Sequence, residues 1–242
     1  MICKGISEAG SLRADNEDSY AIKRIGDALL MVIADGIGGI KGGEVASMTA
    51  VDSVMNNFPD DPENYDEEGL RTLFEKLFDR ANRDILIKSY SDSDLAGMGT
   101  TLTISLVYGK KVFIAHIGDT RAYLVHGSSI IRLTEDHTAG DAMGVNRNCL
   151  TRSLGENEFI KPDFYVYNII YGDMILLTTD GLHGYLTDSE ILKCLKMRND
   201  IDGCLIRLTE EAYRAGSTDN VTALLSYIKP DAEDVDKGEN IG

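Results

Sequence analysis

Hydrophobic residues recur along this chain with two different spacings. Between residues 70 and 85 they return every three or four positions, and this period predicts an amphipathic α-helix. A similar spacing predicts a second helix over residues 45–58. Two more helices are expected near the C-terminus, one from Thr187 to about residue 198 and one around residues 204–212.

Shorter apolar runs without a helical period predict β-strands. The run at residues 30–34 is apolar at every position, which is typical of a strand buried on both faces. Gly26 and Asp27 separate two of the strands and favour a hairpin. The predicted strands cover residues 2–6, 20–25, 28–34, 101–108, 112–117, 121–125, 130–133, 164–170, 174–178 and 221–228.

The order of these elements indicates the fold class. Strand-rich blocks are separated by paired helices, so an α+β arrangement of packed sheets with outer helices is expected. The strands between residues 101 and 133 are expected to form one meander of consecutive antiparallel strands. Residues 1–229 are predicted to form one domain, and the acidic residues 230–242 are predicted to be a disordered tail.

Composition restricts the possible partners. Of the 242 residues, 43% are hydrophobic, which is enough for a sizeable core. The formal net charge of −16 disfavours nucleic acid and anionic membranes, because both are themselves negatively charged. The sequence contains neither a membrane-spanning run nor a signal-peptide pattern, so a cytoplasmic protein is expected. The four cysteines lack CxxC spacing and are expected to be buried thiols, not zinc ligands.

Several apolar strands meet a carboxylate at a glycine turn. Asp35 and Asp180 each follow a strand and precede a glycine, Asp119 follows Gly118, and Asp219 precedes a strand. Taken alone, the Asp35 turn is equally compatible with a structural turn and with a ligand site, but the pattern recurs. Four acids brought together would repel one another unless cations lay between them. Oxygen ligands favour Mg²⁺ or Mn²⁺ over zinc or copper.

Nine short motifs occur in a fixed order. They are RADNED (13–18), ADGIGG (34–39), GGEVAS (42–47), GMGTT (97–101), HIGDTRAY (116–123), LTEDH (133–137), LTRSLG (150–155), TTDGL (178–182) and TDNVT (218–222). Each motif is weak by itself. Together and in this order, over nearly the whole chain, they resemble the metal-dependent protein phosphatases of type 2C in their bacterial form.

This resemblance implies a fold and an activity. The fold would be a four-layer αββα sandwich of two antiparallel sheets flanked by helix pairs, with residues 1–229 as the catalytic domain. The activity would be hydrolysis of phosphoserine and phosphothreonine by a water that bridges two Mn²⁺ or Mg²⁺ ions. The two ions would be tightly bound, with a possible weaker third.

The resemblance also implies a role for each matching residue. Asp35 would bridge both metal ions, Asp180 and Asp219 would complete one site, and Glu17 with the carbonyl of Gly36 would hold the other. Asp119, together with Asp180, would hold the weaker third ion. Arg13 would bind the substrate phosphate, for which the planar fork of a guanidinium is suited. The residues expected to take part in catalysis are thus Arg13, Asp35 and Asp180.

Other polar residues are expected to support the site. His116 is interpreted as a hydrogen-bonded structural residue, His137 as orienting the LTEDH loop, and Asn220 as orienting Asp219. Ile37 stands where eukaryotic members of the family carry a histidine that is a candidate general acid, so the proton must come from water or another group. The interval 138–149 is too short for the full flap subdomain of many bacterial members.

The expected partners are phosphorylated proteins, those of a cognate serine/threonine kinase, and the protein is expected to be a monomer. The alternative function is a catalytically weak, phosphatase-like regulatory module. Every acid expected to bind metal is present, which favours the enzyme. Manganese-dependent hydrolysis of para-nitrophenyl phosphate distinguishes the two.

Overall fold

Eleven β-strands form two antiparallel sheets in the computed structural model, which describes residues 1–10, 13, 15–37, 42–140, 149–157, 160–197 and 200–229. The strands are β1 (Ile2–Glu8), β2 (Asp18–Ile25), β3 (Ala28–Ile37), β4 (Gly99–Thr100), β5 (Leu102–Tyr108), β6 (Lys111–Ile117), β7 (Arg121–His126), β8 (Ser129–Arg132), β9 (Asp163–Asn168), β10 (Met174–Thr178) and β11 (Val221–Tyr227). The first sheet has the order β1-β11-β10-β7-β8. The second has the order β2-β3-β5-β6-β9, with β4 paired to β3.

Helices cover the outer face of each sheet. They are α1 (Gly42–Asn57), α2 (Glu67–Ser91), α3 (Asp180–His183), α4 (Asp188–Cys194) and α5 (Ile201–Arg214). Helices α1 and α2 pack on the second sheet, and α3, α4 and α5 pack on the first. The layers therefore run helix, sheet, sheet, helix, and the expected α+β sandwich of four layers is confirmed.

Strand β3 contributes to two of the apolar layers at once. Leu30 and Val32 pack in the core beneath α1 and α2, whereas Met31 and Ile33 pack in the layer between the sheets. This division follows from the alternation of side chains along a strand. The prediction that residues 30–34 are buried on both faces is confirmed.

The predicted meander is wrong at its middle turn. Strand β6 pairs with β5 and β9, while β7 pairs with β10 and β8 in the opposite sheet. The chain therefore passes from one sheet to the other at Gly118, whose φ is +111°. A hairpin and a passage between sheets both need a tight turn, so the sequence pattern does not distinguish them.

Smaller differences concern the C-terminal half and the thiols. Helix α4 has the predicted capping box at Thr187 but ends at Cys194, and α3 is not foreseen by the sequence pattern. Cys149 is exposed, which contradicts the expectation of a buried thiol there. No described helix has the length and apolar character needed to cross a membrane. Residue 198, residues 141–148 of the shortened interval and the tail at 230–242 lie outside the described residues.

Candidate active site

Asp35 stands where β3 leaves the core. Seven buried residues precede it in the strand, and Asp35 itself is only partly buried. Its N–H donates to Thr101 Oγ1 at 2.8 Å, and its C=O accepts from Thr101 N at 2.9 Å and from Thr100 Oγ1 at 2.8 Å. Both threonines thus fix the backbone that carries the carboxylate.

Carboxylates from separate segments surround Asp35. Burial raises the pKa of Asp35 well above its usual range, and the nearby charges of Asp18, Asp180, Asp119 and Asp219 raise it further. Burial, followed by the charge of Asp180, raises the pKa of Asp119 to about 7. Burial and then Asp219 raise the pKa of Asp180. The structure therefore brings together the acids at the four strand ends.

Glu17 reaches the same region from the loop before β2. Its C=O accepts a hydrogen bond from Gly36 N at 3.1 Å, so the two backbones are joined beside Asp35. A Cβ at position 43 would lie 2.6 Å from Glu17 Oε1, so only glycine leaves room for this carboxylate at the first turn of α1. Glu17 and Gly36 are therefore neighbours.

Arg13 places a guanidinium among these acids. Its Nη2 donates to Asp219 Oδ2 at 2.8 Å, and its Nη1 lies 3.9 Å from Glu17 Oε2. The Arg13 side chain is 47% exposed, so its remaining donors are open to a ligand from solution. The bond to Asp219 is the main reason that the pKa of Arg13 is raised.

Asn220 supports a different element from the one expected. Its Oδ1 accepts from Glu17 N at 2.9 Å, and its Nδ2 donates to Ala9 O at 2.7 Å and Asp15 O at 3.0 Å. Of the polar groups of Asn220, it is the backbone N–H that donates to the Asp219 carboxylate, at 2.8 Å. Within the described hydrogen bonds, the Asn220 side chain therefore orients the loop that carries Glu17, not Asp219.

Asp18 belongs to this cluster, although the sequence pattern did not single it out. It lies opposite Asp35 in the register of β2 and β3 and is buried. Thr179 Oγ1 donates to Asp18 Oδ2 at 2.8 Å, and burial raises the pKa of Asp18 to about 7. Asp18 is one of several charged residues in RADNED, and a single sequence does not show which of them turns inward.

His116 lies near the cluster but inside the core. Its Nδ1 is 2.8 Å from Thr103 Oγ1, and its Nε2 is 3.1 Å from the Glu135 carbonyl oxygen. Burial lowers the pKa of His116 to about 3, so the ring is neutral. These contacts fit the structural role expected of it.

Two neighbouring cavities open onto the acids. One, of about 410 Å³, has walls that include Asp119, Asp180, Asp219, Arg121 and Tyr185. The other, of about 300 Å³, has walls formed by Asp35, Ile37, Thr101, Asp119, Cys149, Leu150, Glu156 and Asp180. Ile37 therefore presents an apolar side chain beside the acids, where it offers no proton.

The chemistry of these donors fits hard divalent cations. The donors are carboxylate oxygens whose mutual repulsion a cation would relieve. In the part of the chain that the structure describes, no three His, Cys, Asp or Glu side chains are close enough to form a finished metal cage. Arg13 instead neutralises part of the negative charge by pairing with Asp219. The residues present therefore fit the ions by type.

Comparisons with known proteins agree with the motifs. The serine/threonine phosphatase stp of Listeria monocytogenes serotype 4b is 31% identical over 233 residues, which is 90% of this chain and 92% of that protein. The structure of Stp1 from Staphylococcus aureus, a serine/threonine phosphatase, matches with a TM-score of 0.86 and 28% identity, over 94% of this chain and 95% of that one.

A third match contains metal. The crystal structure of the catalytic domain of the serine/threonine protein phosphatase PstP in complex with two manganese ions has a TM-score of 0.82 and 28% identity, over 95% of this chain and 98% of that one. The family model described as Protein phosphatase 2C matches residues 11–224. The family predicted from the nine motifs is confirmed: this chain belongs to the protein phosphatase 2C family.

Proposed function

We propose that this chain is a serine/threonine protein phosphatase that depends on Mn²⁺ or Mg²⁺. The observation that carries the proposal is the convergence of Asp35, Asp119, Asp180 and Asp219 at one end of the sandwich, with Arg13 among them. Membership of the protein phosphatase 2C family supports it, as do relatives named serine/threonine phosphatases.

The acids would hold the ions in distinct roles. Asp35 would bridge two ions, Asp180 and Asp219 would complete one site, and Glu17 with the Gly36 carbonyl would hold the other. Asp119 and Asp180 would bind a weaker third ion. Bound in pairs, such cations lower the pKa of a water and offset the charge of a phosphate group.

The other residues would act directly on the substrate or its surroundings. Arg13 would exchange its contact with Asp219 for two phosphate oxygens, which its planar fork can bind together. Asn220 would keep the loop of Arg13 and Glu17 in place. Since Ile37 has no proton to give, the leaving oxygen would take its proton from water or from another group.

The test is metal-dependent turnover. We expect hydrolysis of para-nitrophenyl phosphate and of a phosphothreonine peptide with Mn²⁺, complete loss with a chelator, and recovery when Mn²⁺ is restored. A regulatory binding module would instead bind the phosphopeptide in the presence of Mn²⁺ and leave it intact. Absence of turnover in well-folded, Mn²⁺-loaded protein would therefore overturn the proposal in favour of that alternative.

The wider role is part of the same proposal. The substrates would be proteins phosphorylated by a cognate serine/threonine kinase in bacterial signalling. The catalytic domain would comprise residues 1–229, as the family match over 11–224 supports, and act as a monomer. The free cysteines at positions 3, 149, 194 and 204 fit a reducing compartment such as the cytoplasm.

A further inference from the structure

Asp119 lies on a turn that strand pairing does not hold in place. The turn joins β6 of one sheet to β7 of the other, so no strand pairing continues through it. Gly118 adopts a φ of +111°, a conformation that other residues rarely take. The carboxylate that would hold the weakest metal ion is thus carried by a short corner between the sheets.

His137 forms two hydrogen bonds with Gly118. The backbone N–H of His137 donates to Gly118 O at 2.8 Å, and Gly118 N–H donates to His137 Nδ1 at 3.0 Å. The residue directly before Asp119 is therefore held through both of its backbone polar groups. Both bonds are buried or partly buried, where an unmade bond is costly.

The second nitrogen of the ring sets the orientation of His137. Because Nδ1 accepts from Gly118, the ring proton lies on Nε2, which donates to Asp163 Oδ2 at 3.0 Å. Arg152 Nη1 holds the other oxygen of Asp163 at 2.8 Å. Arg152 Nη1 also lies 2.8 Å from His137 Nε2. Because Nε2 carries the proton, it cannot accept a hydrogen bond, so Arg152 donates to Asp163.

Asp136 holds the other side of the turn. Arg121, two residues after Asp119, donates from Nε to Asp136 Oδ1 at 3.0 Å and from Nη2 to Asp136 Oδ2 at 2.7 Å. This is the bidentate geometry that fixes a guanidinium most firmly. One dipeptide of the LTEDH motif therefore binds the turn on both sides of Asp119.

We propose that Asp136 and His137 are positioning residues, which hold the Gly118–Arg121 turn so that Asp119 can bind the weaker third metal ion. The inference rests on the proposed function for the role of Asp119. Partners of this kind, which touch neither metal nor substrate, typically change metal affinity or activity by about 10- to 100-fold when they are removed.

The first test needs no metal. Hydrogen exchange of the Gly118 amide, measured by NMR in the metal-free protein, should be fast in His137→Ala and slow in wild type. His137→Asn restores an acceptor near the position of Nδ1 and should restore protection, whereas His137→Gln moves that acceptor by one methylene and should not. His126→Ala, at the far end of β7, is the control for loss of a histidine and should leave Gly118 protected. Equal protection in wild type and His137→Ala would overturn the hydrogen-bond basis of the inference.

The second test is a double-mutant cycle. By calorimetry, His137→Ala should weaken the weakest Mn²⁺ site by roughly 10- to 100-fold and leave the two tight sites unchanged. It should lower kcat by a similar factor in the wild-type background and by nothing further in Asp119→Ala. Arg121→Gln should weaken the same site, because glutamine is polar but cannot form the bidentate pair with Asp136.

The outcomes separate this inference from the proposed function. If the wild type has a third Mn²⁺ site and neither His137→Ala nor Arg121→Gln changes its affinity, the positioning role alone is overturned. The same conclusion follows if His137→Ala lowers kcat equally in the wild-type and Asp119→Ala backgrounds. A wild-type protein that binds only two ions and keeps its turnover in Asp119→Ala overturns the role given to Asp119, and the positioning role with it.

Discussion

At the level of single residues, this protein gathers carboxylates in buried positions close to one another, where negative charge is unfavourable in free energy. Asp18, Asp35, Asp119 and Asp180 all have a raised pKa, chiefly because of burial and then because of neighbouring carboxylates, including that of Asp219. Such an arrangement costs stability in the absence of cations. The charges are therefore better explained by a ligand than by folding.

Asp35→Asn should abolish turnover without harming the fold. The change removes the charge that would be shared by two ions, adds almost no volume, and relieves repulsion from Asp18 and Asp180. We expect the melting temperature of metal-free Asp35→Asn to equal or exceed that of the wild type. Circular dichroism and a phosphopeptide assay measure the two effects together.

The control for this variant is Asp27→Asn, in the turn between β2 and β3 at the opposite end of the strands. It makes the same chemical change away from the acids and should keep full activity. Wild-type turnover in Asp35→Asn would remove Asp35 from the bridging position.

Arg13→Ala should weaken the hold on phosphate more than the hold on metal. Arg13 is exposed and contacts the acids through Asp219 and Glu17, so its loss leaves the remaining ligands in place. We expect a raised KM with a smaller change in kcat if its contact is equal in the ground and transition states. Arg13→Lys keeps the charge without the planar fork and should recover only part of the loss. Unchanged kinetics on phosphopeptides would make Arg13 an ordinary solvent-facing residue.

At the scale of elements, the two ends of β6 carry glycines with different constraints. Gly109, in the hairpin from β5 to β6, has a φ of +59° and no atom within 4 Å of a Cβ built on it. Gly118, at the other end of β6, has a φ of +111°, and a Cβ there would collide with Thr101. Thr101 is also the residue that binds the Asp35 N–H. A Cβ at position 118 would therefore displace the residue that holds the backbone of Asp35.

A matched pair of substitutions tests this difference. Gly109→Ala should cost only the positive-φ penalty, about 1–2 kcal/mol, and leave activity unchanged. A penalty of that size lowers the melting temperature of a domain of this length by roughly 2–8 °C. Gly118→Ala has at least that penalty and the collision with Thr101 besides, so it should melt lower and lose most of its turnover. Equal melting temperatures and equal activity in the two variants would show that the Gly118 turn tolerates a Cβ.

At the scale of the whole molecule, a formal net charge of −16 is carried by a sandwich with acids gathered at one end. The stability of metal-free protein should therefore depend on pH in a particular direction. Burial raises the pKa of Asp18 and Asp119 to about 7, so between about pH 4 and pH 7 the folded state keeps protons that the unfolded chain has lost. Its free energy of unfolding accordingly falls as pH rises through this window. His116 and His183, whose pKa burial lowers to about 3, act in the opposite direction and mainly below about pH 6.5.

Thermal melts with and without Mn²⁺ measure this dependence. We expect chelated protein to melt at a lower temperature at about pH 8 than at about pH 6.5. Mn²⁺ should raise the melting temperature more at the higher pH, because metal binding must displace the protons held by the carboxyls. A larger Mn²⁺-induced rise at the lower pH would contradict the view that these carboxyls are the ligands.

Most of the local elements, the family and the chemical type of the site follow from the sequence, although the short helix α3 does not. Residues 70–85 are helical and residues 30–34 form a strand buried on both faces, as their patterns predict, because periodicity reflects local geometry and burial directly. The acids at the four strand ends were also visible, since each ends or begins an apolar run.

The pairing of strands and the contacts between distant polar groups depend on the tertiary fold. Strands β6 and β7 look like one hairpin in sequence, yet Gly118 sends them to different sheets, because a tight turn is compatible with both paths. Asp18 turns inward to Thr179, Asn220 binds the loop of Glu17, and Asp136 and His137 bind both sides of the Asp119 turn. These partners are separated by many residues along the chain. Only the packing of two sheets brings them within hydrogen-bonding distance, so no local pattern could have paired them.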